Sequence, residues 1–199
     1  YDEGSTACTQ YYWSSHTACM TAVTYRFPNS LKTVELGRSY CRMTNPFNGC
    51  TTIEKIIFSS SVYDECLAGF KGLKEVLLLS NVNYIGNYAF SGCSNLQNIT
   101  ISPSVGRIGS EAFENCTAIK ELIIPDGVTS FAYHVFGSCT GIERIILPQS
   151  IVSLGGAAFD LCSGIKDVYY KGTEEQWEAV GKGYWNNFLT SATIHFNHV

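Results

Sequence analysis

The residue type best placed to do chemistry in this 199-residue chain is cysteine, present nine times. A cysteine can serve as a nucleophile, bind a soft metal or form a disulfide, and each use asks for a different arrangement. Cys93, Cys116, Cys139 and Cys162 recur every 23 residues, each three positions after a phenylalanine and three before an aliphatic residue. Cys50 has the same setting between Phe47 and Ile53. No C-x-x-C pair or evident histidine partner accompanies them, so neither a zinc cluster nor a cysteine nucleophile is indicated. Five equivalent residues read as small buried hydrophobes with inert thiols. Disulfides within the row are disfavoured, because identical side chains on in-register rungs run alongside one another and fit the required dihedral poorly.

Cys8, Cys19, Cys41 and Cys66 fall outside that row. An even remainder suggests one or two disulfides among three connectivities, and Cys8 with Cys19 is the preferred bridge, closing a short loop where no repeat is present. His16, His134, His195 and His198 are scattered; the H-x-x-H of the tail lacks further ligands, and surface or partly packed histidines are expected. The adjacent Glu174 and Glu175 suit the first turn of a helix, not an acid/base couple. No nucleophile elbow, P-loop or dinucleotide fingerprint occurs. The chain is therefore expected to have no catalytic residue, no metal and no cofactor. Two glycosylation sequons, Asn98-Ile99-Thr100 and Asn115-Cys116-Thr117, matter only in a eukaryotic source.

The elements that carry these residues are repeats. AFSGCSNLQNITISP, AFENCTAIKELIIPD, VFGSCTGIERIILPQ and AFDLCSGIKDVYYKG share the skeleton F-x-x-C-x-x-(L/I)-x-x-(I/L/V)-x-(I/L/Y). The anchors Leu31, Ile53, Leu73, Leu96, Ile119, Ile142 and Ile165 are separated by 22, 20, 23, 23, 23 and 23 residues, which gives seven coils. In the third, Phe70 is aligned with the repeat phenylalanine and three residues, the cysteine among them, are missing after it. Each L-x-x-I-x-I stretch has the period of a short strand with one buried face. Pro103, Pro125 and Pro148 end strands, a V-x-x-(I/F/L) step follows, and a turn or 3₁₀ segment returns the chain through the A-F pair. Connections that all run one way require parallel pairing, so seven strands span about 30 Å. Such units bury their apolar faces only by stacking.

Both ends of a stack need sealing. Residues 1–27, rich in Tyr, Thr and Ser, read as an N-terminal cap, 28–171 as the array and 172–199 as a C-terminal cap. In the last, Thr173 and Gln176 have capping-box spacing before a short helix. Ala192, Ile194 and Phe196 alternate as a final strand, and Trp177, Trp185 and Phe188 are expected to form the lid over coil seven. With 45% hydrophobic and 15% charged residues and mean hydropathy near zero, the chain is neither disordered nor membrane-spanning. A net charge of −4 without basic clusters excludes a nucleic-acid surface. The start has no basic region before an apolar segment, so a signal peptide, if there was one, is expected to have been removed.

Strand alternation says where a partner would bind. If Ile99 and Ile101 face inward, their neighbours face outward, giving one column of Thr33, Lys55, Glu75, Asn98, Glu121, Arg144 and Asp167, with opposite charges on adjacent rungs. A central column runs Glu35, Ile57, Leu77, Thr100, Ile123, Ile146 and Tyr169, apolar or aromatic at five of its seven positions. β-branched residues favour strands on either face, but a contiguous exposed apolar stripe also marks interaction sites. The candidate ligand-binding residues are therefore Ile57, Leu77, Thr100, Ile123, Ile146 and Tyr169, flanked by Glu121, Arg144 and Asp167.

The motif I-G-x-x-A-F-x-x-C-x-x-L-x-x-I-x-I-P, legible in IGNYAFSGCSNLQNITISP and IGSEAFENCTAIKELIIPD, resembles the BspA-like leucine-rich repeat family of cell-surface proteins. The resemblance covers residues 28–171, most strongly from Val82 onward, and the tail from Tyr169 is similar to segments that close such arrays. It implies a right-handed, β-rich solenoid with a parallel sheet on its concave face. It also implies an extracellular or surface-exposed binding module, often adhesive and without catalytic residues. The expected partner is an extracellular protein or glycan, met by a monomer. A structural spacer in a larger surface protein is the alternative, and a cysteine-dependent enzyme a remote one.

Overall fold

The computed structural model describes residues 5–14, 19–28, 30–37, 47 and 49–197, with the backbone alone for 5–14 and 19–27. Strands β1 (Ser5–Ser14) and β2 (Cys19–Pro28) form an antiparallel hairpin. Then come β3 (Thr33–Leu36), β4 (Lys55–Phe58), β5 (Glu75–Leu78), β6 (Tyr84–Ile85), β7 (Asn98–Thr100), β8 (Arg107–Ile108), β9 (Glu121–Ile123), β10 (Arg144–Leu147) and β11 (Asp167–Tyr170). Helices α1 (Glu174–Ala179) and α2 (Asn187–Thr190) precede β12 (Thr193–His195). The chain is a parallel β-solenoid of seven coils. Its strands pair in the orders β3-β4-β5-β7 and β9-β10-β11-β12, while β6 and β8 pair on the opposite side.

Each coil turns sharply where the strand ends. The N–H groups of Val82, Val105, Val128 and Ile151 donate to the carbonyls of Leu79, Ser102, Pro125 and Pro148, three residues back. The return passes through turns in which Glu65, Tyr88, Glu111, His134, Ala157 and Trp185 share a left-handed backbone, with φ between 53° and 59°. Turns take the place of 3₁₀ helix throughout the described residues. Gly109 shows how closely the coils approach: a Cβ there would lie 2.6 Å from the amide nitrogen of Asn87.

The interior is built from like residues stacked on like. Phe90, Phe113, Phe136 and Phe159 lie ring on ring at centroid spacings of 5.1, 5.3 and 5.3 Å. Beside them the thiols of Cys93, Cys116, Cys139 and Cys162 donate to the carbonyls of Leu67, Phe90, Phe113 and Phe136, at 3.2, 3.2, 3.0 and 2.9 Å. The carbonyls of Phe90, Phe113 and Phe136 already accept the N–H of their own coil's cysteine, and the thiol of the next coil takes the second lone pair. Cysteine thus supplies apolar bulk and a weak donor together. Burial pushes the Cys93 and Cys162 thiols up to about 12 and raises Cys116 and Cys139 well above the usual range.

Four sequence expectations are corrected. Cys50 is disulfide-bonded, so it does not belong to the row of free thiols. Cys66, grouped with the disulfide candidates, is buried and forms no disulfide. The side chains of Cys8 and Cys19 lie outside the described residues, as does Cys41, but the hairpin register sets Cys8 opposite Tyr25 and Cys19 opposite Ser14. Six residues of extended strand separate the two positions, about 20 Å, beyond the reach of a disulfide. Phe70, finally, stands at the cysteine position of its coil and Leu67 at the phenylalanine position. Leu67 carbonyl receives the Cys93 thiol, and Val62 bridges Ile85. The three missing residues come from the V-x-x-I step, where Val62 does the work of two residues.

At the other end the capping box forms: Thr173 Oγ1 accepts from Gln176 N at 3.3 Å and Gln176 Oε1 accepts from Thr173 N at 2.8 Å. Trp177 is buried against Tyr170 at 5.3 Å. Trp185 and Phe188, expected beside it in the lid, are 61% and 42% exposed. Leu189 fills that space instead, and its neighbour on a one-turn helix must point away. Trp185 takes the left-handed turn position of the coil backs.

Candidate ligand-binding face

Alternation along the strands holds as the sequence predicts. Ile56, Val76, Leu122, Ile145 and Val168 are buried, while Ile57, Leu77, Ile146 and Tyr169 are half-buried and Glu35, Thr100 and Ile123 exposed, Ile123 to 53%. The registers Ile57↔Leu77↔Thr100 and Ile123↔Ile146↔Tyr169 line these side chains up across the sheets.

Two ladders of charge run beside the central column. Lys55 pairs with Glu75 at 2.7 Å and Arg144 with Glu121 at 3.2 Å. One residue earlier in each coil, Glu54 is clasped by Lys32 and Lys74 at 3.1 and 3.0 Å, and Glu143 by Lys120 and Lys166 at 3.4 and 2.7 Å. Hydrogen bonds from Lys74 and then Lys32 hold the Glu54 carboxyl below its ordinary value, and those from Lys166 and Lys120 do the same to Glu143. Such exposed pairs each add little to stability.

Toward the C-terminal coils the columns merge into one connected cluster. The Arg144 guanidinium lies 4.2 Å above the Tyr169 ring, whose other neighbour is the His195 imidazole, stacked at 4.4 Å. His195 Nε2 is 2.8 Å from Asp167 Oδ1. The structure thus brings together Glu121, Arg144, Asp167 and Tyr169. It adds His195, which the sequence left as a scattered tail histidine. Register reveals it: β12 pairs with β11 and sets His195 opposite Tyr169.

The face is interrupted once. No ladder joins β7 to β9 among the described residues, although every other adjacent pair of concave strands is bonded. A cleft of about 680 Å³ opens there, lined by Gln97, Asn98, Ile99, Thr100, Lys120 and Ile123 among others. Ile99 is consequently half-buried where Val76 and Leu122, its equivalents in the flanking coils, are sealed. Both charge ladders also stop at the neutral pair Gln97 and Asn98. Behind the cleft the coils stay joined, with Phe90 N donating to Ala112 O at 2.8 Å and Phe90 stacked on Phe113.

The family model of the BspA type leucine rich repeat region matches this sequence in six copies, over residues 14–101 and 60–182. The chain belongs to that family. No curated protein sequence matches it. Among solved structures, a leucine rich repeat protein of Treponema pallidum is similar over 81% of this chain and 68% of its own, at 21% identity and a TM-score of 0.58. A leucine-rich repeat protein of Bacteroides ovatus is similar over 85% of this chain and 46% of its own, at 26% identity and 0.58. A leucine rich cell surface protein of Faecalibacterium prausnitzii is similar over 87% and 40%, at 25% identity and 0.57. This BspA-type chain therefore spans less than half the length of the last two. No helix among its described residues is long and apolar enough to cross a membrane.

Proposed function

We propose that this BspA-type array is a non-enzymatic recognition module of an extracellular or cell-surface protein, binding a partner protein along its concave sheet. The observation that carries this reading is the outward stripe Ile123, Ile146 and Tyr169, with Ile123 53% exposed on a face that no other element covers among the described residues. Burial of such apolar area is the main drive for protein association, and the flanking charges of Glu121, Arg144 and Asp167 would set orientation. Ile57 and Leu77 extend the stripe and Thr100 marks the interruption. The B. ovatus and F. prausnitzii relatives support a role as a repeat module within a longer chain. The three-part reading, with caps at 1–27 and 172–199 around the array 28–171, belongs to this proposal, as does a monomeric state.

A binding screen against extracellular-matrix proteins and glycans, run with Ile123→Asp/Ile146→Asp beside the parent chain, tests it. The double variant should lose binding at least tenfold while its melting temperature falls by no more than a few degrees, since surface changes cost little. Unchanged binding would remove the concave face as the site. Capture of a glycan alone would change the partner class. A parent chain that binds nothing would leave the spacer reading.

A further inference from the structure

On the convex side, away from the sheet, Glu111, Glu114 and His134 each bring one potential ligand atom within 4.8 Å of the other two, all half-buried. The repeat creates the cluster. Glu111 and His134 occupy the same left-handed turn position in successive coils, with φ of 56° and 53°. Glu114, Gly137 and Asp160 likewise share one position, 23 residues apart. Gly137 decides where the imidazole goes, because a Cβ there would lie 2.1 Å from His134 Cε1. The ring fills the room a side chain would need and lies between the carboxylates of the coils on either side.

The distances distinguish a ligand set from a simple ion pair. His134 Nδ1 is 3.7 Å from Glu114 Oε1 and Nε2 is 3.9 Å from Asp160 Oδ2, both too long for hydrogen bonds. Two ligands bound tetrahedrally to one zinc at about 2.0–2.1 Å stand roughly 3.4 Å apart, close to the gap at Nδ1. The remaining oxygens are oriented by neighbours: Tyr88 OH donates to Glu111 Oε1 at 2.9 Å, and Ser91 Oγ donates to Glu114 Oε2 at 3.2 Å. Asp160 faces the far ring nitrogen, where a carboxylate commonly stands behind a metal-bound histidine.

We propose that Glu111, Glu114 and His134 Nδ1 bind one divalent first-row cation, zinc by preference, with Asp160 as the positioning carboxylate and water completing the coordination. Two carboxylates balance the charge of the ion, and an imidazole favours zinc over calcium, which takes six to eight oxygens. The ion would tie coil five to coil six at their backs. It is independent of the concave face and of whatever binds there.

The test is calorimetric titration of zinc alone into the chelator-treated chain, with melting temperature as a second readout. One zinc per chain should bind, with a melting temperature that climbs as zinc is added. His134→Ala and Glu114→Gln should each abolish both effects, and Glu111→Gln, which keeps the shape beside Tyr88, should weaken them. Asp160→Asn should reduce affinity about 10- to 100-fold with an unchanged circular dichroism spectrum. No binding at millimolar zinc, or binding that survives both His134→Ala and Glu114→Gln, would overturn the assignment.

Discussion

At the scale of single residues, the cysteine row is the feature with the plainest consequences. Its thiols are buried, hydrogen-bonded to carbonyls and held protonated by desolvation. In the folded chain at pH 8, a thiol reagent should find Cys93, Cys116, Cys139 and Cys162 silent, and the same reagent in denaturant should find them all. A fast-reacting thiol in the row would instead revive a cysteine-dependent activity. Below the free-thiol value of about 8.5 both folded and unfolded states keep the proton. Above it the unfolded chain releases protons that the folded chain retains until about 12, as for Cys93 and Cys162. Stability is therefore complete below the unfolded value and falls as pH rises through that window. Alkaline unfolding should coincide with the ultraviolet absorbance of thiolate, and Cys116→Ala should make the pH dependence shallower.

At the scale of elements, the strand registers were legible because one face of every strand is buried and a slip of one residue would expose it. The anchors from Leu31 to Ile165 and the outward column from Glu35 to Tyr169 fall where the spacing places them. The coil containing Phe70 departs from its sequence pattern because F-x-x-L has the spacing of the repeat, while the hydrogen bonds of Leu67 and the Val62 bridge show where the chain is shortened. The lid was partly misread for a similar reason: composition cannot say which of Trp177, Trp185 and Phe188 turns inward, and the cap's backbone decides it.

The interruption between β7 and β9 was not legible in the apolar alternation, since Gln97-Asn98-Ile99-Thr100 keeps that of its neighbours and differs only in lacking their charges. It has a measurable signature. Gln97 and Asn98 donate to Lys74 carbonyl, and Glu143 and Arg144 to Lys120 carbonyl, but no equivalent pair links Lys120 and Glu121 to coil four. Hydrogen exchange at the Lys120 and Glu121 amides should be at least tenfold faster than at Glu143 and Arg144, because exposed, unbonded amides exchange without opening the fold. Equal protection at the two junctions would close the cleft.

At the scale of the whole molecule, this BspA-type chain is a one-dimensional stack in which each coil is held by its neighbours. That design lets support and the proposed recognition rest on different residues. The buried Phe and Cys rows hold the stack, while the central concave column is free to vary. The candidate stripe could be found in the sequence because its parity follows from the buried anchors. The cluster of Arg144, Tyr169 and His195 could not, because it needs the tail strand β12 set in register on β11. The convex cluster around His134 stayed hidden for a related reason: its ligands are brought together only by the period of the coil.

The most direct measurement is a hydrogen-exchange footprint of the chain bound to whichever protein the screen selects. Protection should gather on β9, β10 and β11 and at the edges of the cleft, with the turns that carry Tyr88, Glu111 and His134 unchanged. A footprint on those convex turns, or on the C-terminal aromatics Trp185 and Phe188 with the concave strands untouched, would contradict the assignment of recognition to the sheet.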